Sequence, residues 1–195
     1  MLRKITLLIV CLCYITAQAA DSRIVLPAEV DDVTFYGVDF SLVNIIGDDA
    51  TDQQYLQAFR RINELFVTEP EKYNIAKCIK SNISEYDFEV VNALNDAIDM
   101  AQARPLHSNM LSDEELAAHI AQIPVAGDGV GLIIVADNLN KTQEKGYFHF
   151  IFFDQATRTI VAKAFLKGKA RGFGLRNHWA RAILNSMKSL RVTHR

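Results

Sequence analysis

Cysteine is scarce in this chain: three in 195 residues, and two of them, Cys11 and Cys13, lie within the first thirteen positions. Once the leading segment is removed Cys78 stands alone, so no intrachain disulfide can form and stability must come from an ordinary core. Beyond residue 20 no apolar run approaches the roughly twenty residues that a membrane-crossing helix needs. Four prolines and nine glycines are spread without a Pro-rich or Gly/Ser-rich tract, and neither an internal repeat nor a low-complexity block is present. The sequence also lacks a GxSxG, HExxH or EF-hand pattern. His107, His119 and His194 show no metal-ligand spacing with one another or with Cys78, so neither a metal nor a cofactor is expected.

What is present begins at the amino terminus. Arg3 and Lys4 precede a mostly apolar run over residues 5–15, and Ala17-Gln18-Ala19 supplies small residues at a cleavage site. This pattern predicts a secretory signal peptide over residues 1–19. An alternative is lipidation at Cys11 or Cys13, but Val10 and Leu12 occupy the preceding positions, where a lipoprotein signal carries a small residue. The remaining residues, 20–195, suit a single α/β domain.

Charge is unevenly distributed. Every Asp and Glu lies at or before Asp154, while ten Lys or Arg fall in residues 155–195. A basic tail end of this kind either attracts anions or lies beside acidic neighbours from the first half of the fold. A formal net charge of −2 favours the second reading and is unlike a dedicated nucleic-acid binder.

Periodicity predicts alternating strands and helices. Residues 33–46 are rich in β-branched and aromatic side chains and read as a first strand, with Gly37 at a bulge or close approach. Thr51 and Gln54 form a capping box, after which Tyr55, Phe59, Ile62 and Phe66 recur at helical spacing. Thr68 and Glu71 around Pro70 suggest a second, shorter helix carrying Tyr73, Ile75 and Cys78. Residues 84–100 read as a strand near residues 88–91 or as a longer helix, and the strand is favoured. Ser112 and Glu115 cap another helix that stops by Pro124.

The run VGLIIVA (130–136) reads as a strand buried on both faces, and YFHFIFF (147–153) and TIVAKAFL (159–166) flank the DQATR turn as a β-hairpin. Leu175, Trp179, Ile183, Met187 and Leu190 then trace the apolar face of a last helix, with His178, Arg181, Asn185 and Lys188 on another face. The order is roughly β-α-α-β-α-β-β-β-α: an α/β (α+β) fold with a mixed, partly antiparallel sheet under about four helices.

The densest candidate site is GKARGFGLRNHWA (168–180), where Lys169, Arg171, Arg176, Asn177 and His178 surround Gly172 and Gly174 at a helix start. Free backbone N–H groups and the helix dipole favour an anion there, and the cations add charge-assisted hydrogen bonds. The spacing is not that of a P-loop or a GxGxxG turn, because Asn177 occupies the third glycine's place. A structural corner with Trp179 in the core is the competing reading and the favoured one. His149 reads as a satisfied core histidine and Cys78 as a small buried hydrophobe. Asp137 and Asp154 end strands of opposite direction and are poor partners for one another. No catalytic residue is assigned.

The segments TFYGVDFS (34–41), FFDQATR (152–158) and GFGLRNHWA (172–180), following a signal peptide, resemble a family of exported, functionally uncharacterised proteins of Gram-negative bacteria. More loosely, the element order is similar to small envelope α/β domains such as the amino-terminal domain of the Tol-system translocation protein. The resemblance implies a periplasmic or secreted binding module whose partner is another envelope protein. A small anion bound at residues 167–181 is the alternative, and a hydrolase ranks third; neither a nucleic-acid partner nor a transmembrane segment in the mature chain is expected.

The mature protein is expected to begin at Ala20 or Asp21. Intact-mass measurement of the native product tests this, and a diacyl adduct on Cys11 or Cys13 would overturn it.

Overall fold

A computed structural model of the chain describes residues 22–28, 30–106 and 109–195. The signal segment and His107 lie outside these described residues. The main sheet is built on β5 (Val130–Asn140), which is buried over nine consecutive residues that take in its apolar run and the polar Asp137 and Asn138. On one side β5 pairs in parallel with β2 (Asp32–Asp39), which in turn pairs in parallel with β4 (Asn82–Tyr86). On the other side β6 (Lys145–Asp154) and β7 (Ile160–Lys169) continue antiparallel, giving the order β4-β2-β5-β6-β7. A separate parallel pair joins β1 (Arg23–Leu26) to β8 (Arg191–His194), so the two ends of the described chain meet.

The stretch expected as one strand over 33–46 is two. β2 ends at Asp39, opposite Val135, and β3 (Asn44–Ile46) rejoins β5 at Asn138. The break coincides with a bulge: Asp137 is also skipped in the pairing of β5 with β6. Gly37 is itself at an irregularity in the β2–β5 register, with φ of +93°, a backbone region costly for residues with a Cβ.

Past Phe35, β2 has outrun β4, and side chains take over the edge. Asn63 accepts from the Val38 N–H (2.7 Å) and donates to the Val38 carbonyl (3.1 Å), while Asn95 accepts from the Phe40 N–H (2.6 Å) and also donates to Val38 (3.0 Å). Both asparagines are buried. An asparagine amide carries the same donor and acceptor as a peptide unit, so these two side chains substitute for the missing strand. A Cβ on Gly37 would lie 2.8 Å from Asn63 Oδ1, so the glycine and the clamp require each other.

α1 (Asp52–Thr68) starts at Thr51 with both capping-box hydrogen bonds formed, and buries Tyr55, Phe59, Ile62 and Phe66. The expected second cap is not used. α1 runs on through Thr68, whose hydroxyl donates back to the Glu64 carbonyl, and α2 (Ile75–Ile79) begins instead at Asn74. The favoured strand near residues 88–91 is also corrected: β4 ends at Tyr86, and α3 (Glu89–Asp96) occupies that stretch. Its Val91 and Asn95 point inward one helical turn apart, and Asn95 is needed at the end of β2. α4 (Asp113–Gln122) has the complete Ser112/Glu115 box and stops before Pro124.

The sheet separates two apolar cores. α1, α2 and α5 (Leu175–Ser189) cover the larger, which extends from Ile24 to Val192; α4 and Val91 cover the smaller, against Ile133, Val135, Ile151 and Phe153. α5 lies directly on the paired glycines Gly146 and Gly168: a Cβ at Gly168 would fall 1.7 Å from the Ala182 carbonyl oxygen. Backbone there has no room to move aside, whereas a side chain would. Trp179, fully buried, fills the space on the same helix face. No described helix is long and apolar enough to cross a membrane.

Gly168→Ala is therefore expected to lower stability by more than about 3 kcal/mol, comparable to Trp179→Ala at about 3 to 5 kcal/mol. Urea unfolding of the two variants tests this, and a loss below about 1 kcal/mol at Gly168 would refute the close approach.

Candidate functional site

The parallel strands β2, β3 and β5 all point their carboxyl ends at one edge of the sheet, the place where open sheets commonly receive ligands. A hollow of about 610 Å³ opens beside that edge. One wall is the β3–α1 connection with Asp48 and Asp49, followed by Gln54, Gln57 and Arg61 of α1; Lys141 and the 172–177 corner complete it. A second hollow of about 620 Å³ shares Asp48, Asp49 and Lys141 and is bounded by Arg104 and Pro105.

This edge is tied together by Asp48 and Arg104. The Asp48 carboxylate accepts from the Ala50 N–H (2.9 Å) and the Tyr55 hydroxyl (2.9 Å). Arg104 donates to the carbonyls of Asp48 (3.2 Å) and Ala50 (2.5 Å), pairs with Asp52, and lies over the Tyr55 ring. Burial raises the Tyr55 phenol well above its ordinary range and the Asp48 charge and hydrogen bond add to this, so the hydroxyl stays a donor.

Of the residues singled out in the sequence, Arg176 and Asn177 line the first hollow, while Lys169 and Arg171 are exposed and do not. Asn177 accepts from Arg176 Nε (3.1 Å) and Nη2 (2.8 Å) and donates to the Phe173 carbonyl (3.1 Å), which fixes the guanidinium at the rim. His178, grouped by spacing with the polar face of α5, is turned inward, its ring edge-on to Trp179 at 4.7 Å. Burial pushes its imidazole below the usual value, and the Lys141 charge adds to that. Gly172 and Gly174 both hold positive φ, and between them Phe173 is 97 % exposed. Gly174 begins α5 without a side-chain cap.

Sequence reading missed Asp48, Asp49, Arg61 and Lys141, which no local pattern joins to the corner. His149 is the satisfied core histidine that its strand context predicts, but its partner and a second His–Asp pair on the α4 side of the sheet were not foreseen. His119 of α4 meets Asp39 at 2.6 Å, and His149 of β6 meets Asp137 at 2.8 Å; both carboxylates are fully buried. The further contacts of the two carboxylates show what the pairs hold: Asp39 uses its other oxygen, whereas Asp137 accepts twice at Oδ2 and leaves Oδ1 buried without a partner among the described residues. Asp39 accepts from the Ser41 N–H (2.7 Å), turning the chain out of β2, and Asp137 accepts from the Leu111 N–H (3.0 Å), anchoring the approach to α4. These are fastenings of α4 and its leading segment to the sheet. Among the described residues no group of three or more His, Cys, Asp or Glu is arranged to hold a metal ion.

Of residues 155–195, Lys163 forms a direct ion pair, with Asp113, among the described residues, and Arg176 shares the first hollow with Asp48 and Asp49. The class of protein is thus a mixed-sheet α+β domain with an open polar edge. Comparison with family models, curated proteins and solved structures finds no match.

Asp137→Ala removes the acceptor of both His149 and the Leu111 N–H, and leaving buried groups unpaired is expected to cost about 2 to 5 kcal/mol. Urea unfolding reads the loss. Amide exchange at Leu111 should accelerate with it, and unchanged exchange would show that Asp137 does not anchor this segment.

Proposed function

We propose that this is an exported, non-enzymatic binding module of the cell envelope that engages a protein partner through the carboxyl-end edge of its sheet. The observation that carries this reading is Phe173, a large aromatic side chain held 97 % exposed between two positive-φ glycines. Solvent exposure of a whole phenyl ring is unfavourable by itself, and such rings supply much of the energy at protein interfaces. Leu106, 95 % exposed, borders a further hollow next to the pair that share Asp48, Asp49 and Lys141. Two apolar anchors flanking a polar floor match an interface with a few deep contacts and a polar surround.

The amino-terminal signal pattern supports a periplasmic or secreted location. A small anion at the corner is the second reading, favoured by the uncapped start of α5 and by Arg176. Asp48 and Asp49 on the same wall weigh against it, since their charges oppose a ligand of the same sign. A protein surface, carrying both signs, meets no such conflict.

Site-specific photo-crosslinking in the native host tests the proposal. A crosslinking residue at position 173 or 106 is expected to capture the same envelope protein, and one at Val161, also exposed, is expected not to. Phe173→Ser should abolish capture from position 106 while changing stability by less than about 0.5 kcal/mol, as for a surface site. Absence of a common adduct, together with calorimetric binding of phosphate that Arg176→Ala abolishes, would replace this reading with the anion one.

A further inference from the structure

Another concavity lies at the other end of α5, about 20 Å along the helix from the glycine corner. It has a volume of about 430 Å³ and is formed by α2 against the last two turns of α5 and the start of β8. Its floor is apolar: Cys78, Leu184, Met187 and Leu190. Its rim is cationic, with Lys72, Lys77, Lys80, Lys188 and Arg191 against one acid, Glu71.

The rim cations differ in how they are engaged. Lys72 is paired with Glu69 at 2.7 Å, and Arg191 donates to the carbonyls of Lys188 and Leu190, closing the end of α5. The ammonium groups of Lys77, Lys80 and Lys188 have no hydrogen-bond or ion-pair partner among the described residues. Three unpaired cations lining an apolar hollow favour an anion there over a neutral group. An anion alone leaves the floor wet, and an apolar group alone leaves the charges apart. The hollow also falls within the size range of small-molecule sites.

We propose that this hollow binds a single-chain anionic amphiphile, of the fatty-acid or anionic lysolipid class, with its headgroup among Lys77, Lys80 and Lys188 and its chain along the Leu184–Met187–Leu190 floor. The site is separate from the edge assigned to a protein partner and does not depend on that assignment. Cys78 provides a reporter inside it. The thiol donates to the Met187 carbonyl at 3.1 Å, and burial pushes its pKa up to about 12, so it is a slow but addressable probe rather than a reactive centre.

The test uses the mature protein and monomeric oleate below its aggregation threshold, followed by calorimetry and by the rate of Cys78 alkylation at pH 9. Saturable binding of one oleate per chain is expected, with alkylation slowed at least fivefold by bound oleate. The double change Lys77→Glu/Lys188→Glu should weaken binding at least tenfold, and Leu184→Trp, which fills the floor, should weaken it similarly without reversing charge. Polyphosphate and the neutral-headed lysophosphatidylcholine should each bind at least tenfold more weakly than oleate. Three results would overturn the proposal: no binding of oleate, oleate binding that leaves Cys78 alkylation and both variants unaffected, or binding to phosphatidylglycerol vesicles without binding to the monomer. The last would make the patch a membrane-contact surface.

Discussion

The end of β2 is the constraint on which the rest of the structure depends. A parallel strand in the interior of a sheet needs hydrogen-bonding partners on both sides, and β4 serves only the first half of β2. Asn63 from α1 and Asn95 from α3 supply the partners for Val38 and Phe40 from outside the sheet. This ties two helices to one strand end and fixes where the chain leaves the sheet. Asp39, Ser41 and β3 follow from that exit, and so does the position of the β3–α1 connection that walls the candidate site.

Around this exit two buried carboxylates each meet a histidine, although Asp137 Oδ1 and the Ser41 hydroxyl are left without a hydrogen-bond partner among the described residues. The carboxyl groups of Asp39 and Asp137 each serve one histidine and one backbone N–H, so each organises a segment as well as meeting a side chain. The bulge at Asp137 makes this arrangement possible. An added residue in β5 interrupts pairing on both sides and leaves the carboxylate beside His149 and the Leu111 N–H. The result is a sheet end whose chain exits are fixed by side-chain contacts from α1, α3 and α4.

Much of the fold was legible in the sequence because its signals are local. Two capping boxes, Thr51/Gln54 and Ser112/Glu115, marked helix starts that form as expected, and the hairpin around residues 154–159 followed from two apolar runs and a polar turn. The misreadings arose where two local signals compete. Thr68 is a good helix-start cap by composition, yet it forms the last residue of α1, its hydroxyl donating back to the Glu64 carbonyl, and α2 starts at Asn74 instead. Residues 88–96 satisfy strand and helix patterns alike, and the choice was made by Asn95 reaching β2 from 57 residues away. For the site, the corner was found by its residue types, but only Arg176 and Asn177 of the five marked residues face the hollow. His178 turns inward because Trp179 and its neighbours bring that side of α5 onto the sheet.

What the amino-acid order determined by itself was the set of elements that repeat within a few residues: where most helices begin, which strands are buried on both faces, and where the chain turns back. What only the tertiary structure decided was how distant polar groups meet. Asp39 and His119 are separated by 80 residues, and Val38 and Asn63 by 25, and no period in the sequence encodes either meeting. Hydrophobic periodicity arises from contacts one helical turn or two strand residues apart, so it is written locally. A buried hydrogen bond depends on direction and distance to within a few tenths of an ångström, and those are set only after the sheet and its helices have packed.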